Sequence, residues 1–206
     1  MRCGSLAGGT CWLVAAVGLI IAVACSDSRD RRAPADDMVG LNNRGVGLMG
    51  QFNYDAAREI FARLAVAHPD RLDLQVNLAI ATLNRQRESD ADEARRILEH
   101  VSAADPLDLR ARYSLALLLL NDGRTAEALP QFAFVAEHAP GDAFAIYYAA
   151  RCRFEQSDFA GALAGYQRAL TLDPHLRSAA YGASQAKQRL GRIADAGPQL
   201  IVFREL

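Results

Sequence analysis

The sequence predicts an all-α protein, a solenoid of stacked helical hairpins, and three observations predict it. Pro106, Pro140 and Pro174 recur every 34 residues, with Pro69 standing 37 residues before Pro106. Twelve residues before each proline comes an alanine (Ala57, Ala94, Ala128, Ala162), and eight before comes a large apolar side chain (Phe61, Leu98, Phe132, Tyr166). On the stretch preceding each unit, small residues fall at one recurring place: Gly45, Ala79, Ala116 and Ala150. A fixed period of this kind marks a unit that cannot bury its apolar face alone and covers it with the next copy.

Ahead of the repeats, Met1-Arg2 supplies one positive charge, and no charged residue follows from Cys3 through Ser26. The dense apolar run "CWLVAAVGLIIAVAC" then gives way to "SDSRDRRAPADD". This pattern predicts an export signal over residues 1–24 and a charged tether over 25–37. Two cleavage readings fit the junction: Ala22-x-Ala24 suits an ordinary signal peptidase, and small residues running into Cys25 resemble a bacterial lipobox. The second is favoured, because lipid on Cys25 followed by a charged tether gives an anchor, although Ala22 stands where leucine is usual. An uncleaved anchor helix is the third reading, since the uncharged span approaches the roughly 20 residues a bilayer needs.

The repeats occupy 38–206, and with the small residue as eighth of its copy the starts are Met38, Leu72, Leu109, Ala143 and Arg177. Each copy reads as two helices. The first resembles "ARYSLALLLL", and the second resembles "DGRTAEALPQFAFVAEHAP", with a turn between them. Helices joined by a tight turn approach closely where one presents Gly or Ala, and the large side chain fills the space beside that contact. Proline stops the second helix and suits the first turn of the next. The turn position reads Phe52, Ser89, Gly123 and Ser157, only the third being the expected glycine. The longer second copy carries its insertion in "NRQRESDADEA", where Ser89 or Asp90 is the expected N-cap. Pro130 predicts a kink or a late start of its helix. The fifth copy keeps Gly191 and Ala196, then meets Pro198 and reads as incomplete.

These residues resemble the tetratricopeptide (TPR) family, whose 34-residue helix-turn-helix units stack into a right-handed superhelix. The resemblance runs from about Met38 to Leu206. More narrowly, "LMGQFNYDAAREIFARLAVAHPD", "NLAIATLNRQRESDADEARRIL" and "RYSLALLLLNDGRTAEALPQF" resemble the TPR region ahead of FG-GAP propeller repeats and an ASPIC/UnbV segment in exported bacterial proteins. The alternative expectation that follows is a leading TPR segment of such a larger protein, freestanding or truncated.

In the TPR family the first helices line the inner curve, and the resemblance places the fifth residues there: Asn42, Val76, Tyr113, Tyr147 and Tyr181. Beyond them lie Val46, Ile80, Leu117, Arg151 and Gln185, then Met49, Leu83, Leu120, Phe154 and Gln188. Asn84 and Asn121 share one place, where Glu155 and Arg189 stand in the later copies. Tyrosine offers a large rigid contact with a hydroxyl, and asparagine can both donate to and accept from a peptide backbone. The expected site for a protein or peptide partner is therefore Tyr113, Tyr147, Tyr181, Asn84, Asn121, Leu117, Arg151 and Phe154. The competing role for the tyrosines is to wedge first helices apart. A carboxylate clamp is disfavoured, since at the fifth and ninth places, which it uses, only Asn42 and Arg151 are of the needed types and they lie in distant copies.

Other chemistry has little support. A net charge of -1, with 22 scattered arginines and a single lysine, Lys187, gives no basic face for nucleic acid. After export only Cys152 would remain in the folded part, on a predicted helix, where a lone cysteine reads as a small buried hydrophobe. His68, His100, His138 and His175 sit near helix ends or just after a proline, and none pairs at i, i+4, so no metal is expected. No phosphate loop or nucleophile elbow is present. The expectation is a non-catalytic exported scaffold without cofactor.

Overall fold

The computed structural model describes residues 34–191, and among these there are nine α-helices and no strand. The export signal, Cys25, Ala196 and Pro198 lie outside the described residues. The helices pair as α1 (Pro34–Gly50) with α2 (Tyr54–Ala67), α3 (Leu72–Arg85) with α4 (Asp90–Ala104), α5 (Leu109–Asn121) with α6 (Thr125–His138), and α7 (Ala143–Glu155) with α8 (Phe159–Leu172). α9 (Arg177–Arg189) opens the fifth copy. Thus α3, α5, α7 and α9 start where the proline register puts them, while α1 starts at Pro34, about a turn before Met38. Each helix packs on its neighbours in sequence, and first helices also touch, α1 on α3, α3 on α5 and α7 on α9. Contact confined to near neighbours is what makes the assembly a solenoid.

The recurring residues form its core. Ala57, Ala94, Ala128 and Ala162 are fully buried, as are Phe61, Leu98 and Phe132, with Tyr166 nearly so. The small eighth position has a measurable cause. A β-carbon at Gly45 would stand 2.6 Å from Cζ of Phe61, so the ring lies directly on the glycine. In copy four the same need is met differently, because a β-carbon at Gly165 would stand 2.7 Å from that of Ala150. Close approach is thus shared between a small residue and a ring in one copy, and between two small residues in another.

The starts of α2, α5, α7 and α8 are held by a capping amide, Asn53, and three capping carboxylates. Asp108 Oδ1 accepts from Ala111 N at 2.8 Å, Asp142 Oδ1 from Phe144 N and Ala145 N at 3.0 Å each, and Asp158 Oδ1 from Gly161 N at 2.9 Å. Pro130 does not delay α6, which runs unbroken from Thr125. Ala126 and Pro130 are both exposed, so the carbonyl left without a donor faces water.

The turns between paired helices use the left-handed region at Phe52 (φ 60°), Gly123 (φ 74°) and Ser157 (φ 65°). Each is followed by a closing bond back to the helix: Asn53 N to Leu48 O at 2.9 Å, Arg124 N to Leu119 O at 2.8 Å, Asp158 N to Arg153 O at 2.9 Å. Copy two departs from this. Its left-handed residue is Gln86 (φ 59°) and not Ser89, because the inserted residues follow the end of α3. Ser89 does stand at the N-cap position of α4, yet its side chain makes no capping bond. Substituting Ser157→Gly is expected to raise the unfolding free energy by about 0.5–1 kcal/mol, relief of left-handed strain outweighing the added chain entropy. Urea melts check it, and a loss of stability would show that Ser157 is not strained.

Candidate binding groove

Three first helices, α3, α5 and α7, with the start of α4 and the end of α6, enclose a groove of about 870 Å³. On α5, Tyr113, Leu117 and Asn121 stand four residues apart, so a single helical face contributes all three. From α3 come Ile80, Leu83 and Asn84, from α6 Val135, and from α7 Tyr148 and Arg151.

The floor is braced by aromatic contact. Phe132, fully buried, stacks on Tyr148 with centroids 5.1 Å apart, and Tyr113 meets both edge-on, at 5.6 Å to Phe132 and 6.0 Å to Tyr148. Burial pushes the Tyr113 and Tyr148 hydroxyls above the usual tyrosine range, with the neighbouring phenol Tyr148 adding to the shift at Tyr113 and Tyr147 adding to that at Tyr148. Both rings therefore stay neutral and keep their hydroxyl protons at physiological pH.

The rim is polar. Asn84 and Asn121 are exposed, and Asn84 Nδ2 donates to Ile80 O at 2.8 Å, leaving its carbonyl to accept. Arg151 Nε donates to Glu155 Oε1 at 3.1 Å, and Glu155 Oε2 accepts from Thr125 Oγ1 at 2.9 Å. Arg110 Nη2 donates to Asn77 Oδ1 at 2.6 Å, and Asn77 Nδ2 to Asn42 Oδ1 at 3.0 Å, a ladder tying α5 to α3 and α1. The two carboxylates of the lining are spent on the fold: Asp142 caps α7, and Asp90 is bound by the Arg85 guanidinium and by Arg87 N at 2.8 Å.

Of the residues expected to bind a partner, the groove gathers Asn84, Tyr113, Leu117, Asn121 and Arg151. Tyr147, Phe154 and Tyr181 lie elsewhere. Tyr147 packs with its neighbour Tyr148 at 5.0 Å and with Tyr166 of α8 at 5.8 Å, inside its own hairpin and not between first helices, and Phe154 packs edge-on to Phe159 at 5.2 Å. Tyr181, on α9, is exposed, and its hydroxyl accepts from Gln185 Nε2 at 3.0 Å. Val76 and Leu120, two further positions of the expected wall, are buried in the core instead. The sequence reading missed Tyr148 and Arg110. Tyr148 adjoins the expected tyrosine, and stacking on Phe132 of the preceding hairpin turns the sixth position of this copy toward the groove.

Cys152 is fully buried, and burial pushes its thiol up to about 11, with Glu155 adding to the shift. It remains a protonated core residue at physiological pH. His138 stacks on Phe134 and its Nδ1 lies 2.9 Å from Phe134 O; His175 N donates to Asp173 Oδ1 at 2.9 Å. Among the described residues no cluster of three or more His, Cys, Asp or Glu is suited to a metal ion, and no helix is long and apolar enough to cross a membrane.

The sequence matches the tetratricopeptide repeat family model at residues 84–143 and again at 122–177. No curated protein matches it. Solved structures of MamA share the fold. MamA 41-end from Desulfovibrio magneticus RS-1 gives a TM-score of 0.74 at 20% identity, covering 84% of this chain and 97% of that one. MamA AMB-1 gives 0.70 at 20% identity over 84% and 92% of the two chains. A further MamA crystal structure gives 0.71 at 14% identity over 83% and 92%. At such identity the likeness is one of fold. Residues 84–177 match tetratricopeptide repeats, and the described residues form a TPR-type helical solenoid.

Proposed function

We propose that this chain is a non-catalytic scaffold that holds a protein or peptide partner in the groove between α3, α5 and α7. One observation carries the reading: consecutive copies join an apolar floor with neutral tyrosine hydroxyls to a rim of asparagine and arginine. Such a surface offers rigid contact area and backbone-matching bonds together. The commitment of Asp90 and Asp142 to structural bonds supports a binding role over acid-base chemistry. The proposal extends to location. Export by residues 1–24 and lipid on Cys25 would hold the scaffold at the bacterial cell envelope, facing the periplasm.

Crosslinked capture from the envelope fraction tests this. Leu117→Glu, which puts a charge on the floor, is expected to abolish recovery of the partner, whereas Arg168→Glu on α8 leaves it intact. In the same experiment Cys25→Ala is expected to move the captured complex from the membrane pellet to the soluble fraction. Equal recovery with Leu117→Glu would count against the groove. A second reading, that these repeats lead a larger FG-GAP propeller protein, rests on the wording of the three segments quoted above. A continuing reading frame in the genome would favour it.

A further inference from the structure

We propose that the segment this groove accepts is acidic, carrying side-chain carboxylates on either side of an apolar centre; this rests on the groove being the binding surface. The charged groups of the lining differ in how far the fold has already engaged them. Asp90 is nearly fully buried, and both of its oxygens are taken, one by Arg85 Nη2 and the other by Arg85 Nε and Arg87 N. Asp142 Oδ1 accepts the two backbone N–H groups at the start of α7. Of the four oxygens on these two carboxylates, three are engaged and only Asp142 Oδ2 stays open to a ligand.

The guanidinium groups are in the opposite condition. Arg110 is exposed and commits a single N–H, from Nη2, to the neutral amide of Asn77. Arg151 is about half-exposed and commits Nε to Glu155, leaving both terminal nitrogens. A guanidinium carries five N–H donors in a planar fork that matches a carboxylate, so each retains the capacity for a two-point bond. Their placement is also informative. Arg110 sits in the first turn of α5, and Arg151 is in the second half of α7, so the two mark different ends of the lining, with Tyr113, Leu117 and Tyr148 between them. A ligand with the reverse polarity, basic at its flanks, would set its cations against two arginines and find one open carboxylate oxygen in the lining, on Asp142, since Glu155 is already held by Arg151 and Thr125. That mismatch selects against basic segments as firmly as the complementarity selects for acidic ones.

The test uses the full chain in mild detergent and three fluorescein-labelled synthetic peptides that share a Leu-Phe-Leu centre and differ only in their flanks, Glu, Gln or Lys. By anisotropy the Glu peptide is expected to bind about tenfold more tightly than the Gln peptide, and the Lys peptide not measurably. Its affinity should fall as NaCl is raised. Arg110→Gln with Arg151→Gln should bring the Glu peptide down to the Gln peptide's level. Both positions are solvent-facing, and glutamine preserves a donor to Asn77, so the variant is expected to fold, which circular dichroism checks. If Gln and Glu peptides bind alike, or Lys binds best, the acidic preference is overturned while the groove stands. If none of the three binds, the groove reading itself fails and takes this inference with it.

Discussion

Replacing Phe132 by alanine is expected to lower the free energy of unfolding by about 3–5 kcal/mol, the range for deleting a fully buried aromatic ring without collapse of the space it leaves. Collapse is resisted here because the ring is held from several sides. It is fully buried on α6, stacks on Tyr148 of α7 and receives the edge of Tyr113 from α5. The equivalent place in copy two is Leu98, also fully buried, so this fold can be built around the smaller side chain. Phe132→Leu should accordingly cost only about 1–2 kcal/mol. The substitution also reaches function. Tyr113 and Tyr148 are the aromatic part of the groove floor, and both rest on Phe132, so the alanine variant should bind partner more weakly even below the denaturant concentrations that unfold it. Urea titration with a parallel binding measurement checks both effects. A loss under 1 kcal/mol would mean the neighbouring helices close over the space, and the ring would not be the brace described.

Why the proline spacing located α3, α5, α7 and α9 so well follows from what sets a helix start. Proline cannot continue a second helix, and the N-cap follows it at a constant two residues, as Arg71, Asp108, Asp142 and Leu176, with a side-chain cap at Asp108 and Asp142. Sequence distance along such a turn is nearly spatial distance, so a period in one is a period in the other. The left-handed turn residue was less legible. Phe52 and Ser157 adopt φ values that favour glycine, and nothing in their chemistry announces it; only the closing bonds from Asn53 N and Asp158 N reveal that the turn is the same as at Gly123. In copy two the insertion breaks the alignment, and the left-handed residue moves to Gln86.

The groove was legible where helical periodicity governs it and illegible where packing between copies does. Tyr113, Leu117 and Asn121 share one face of α5 by spacing alone. The α7 contribution depends on how that helix rolls against its predecessor, and the stack of Tyr148 on Phe132 decides the roll. Tyr147 is thereby sent to Tyr166, and its place at the groove passes to the next residue. No count along the chain reports a rotation of that size. Arg110 escaped notice for a related reason: it lies at the second position of its copy, and its ladder through Asn77 to Asn42 exists only once the first helices of neighbouring copies are side by side.

The long turn of copy two supplies the other large effect, and Asp90→Ala is expected to destabilise the protein by about 3 kcal/mol. The copies with the shorter turn close it with a backbone bond after a left-handed residue. Copy two makes no such bond, and the Asp90 carboxylate takes over, gripping the Arg85 guanidinium at the end of α3 and Arg87 N within the turn itself. Asp90 is 1% exposed and Arg85 15%, so removing the carboxylate leaves a largely buried cation with only the Asp55 oxygen 3.9 Å away, and strands the Arg87 amide. The neighbouring Arg87–Asp55 pair, at 2.6 Å, is about 60% exposed on both sides and should be worth far less, about 0–1 kcal/mol. Burial also separates the variants. Pairing Asp90→Leu with Arg85→Met should recover much of the loss, because both desolvation costs vanish together. The bond to Arg85 holds the Asp90 carboxyl below its ordinary pKa of 3.8, against the opposing effect of burial. A depressed folded value means the contribution is complete above the unfolded pKa and is lost as pH falls through the folded one. Wild type should therefore lose stability relative to the Leu/Met double variant only on acidification below about pH 4. Parallel melts of the two proteins between pH 7 and pH 2 that stay equally spaced would show that the carboxylate's charge is not what closes this turn.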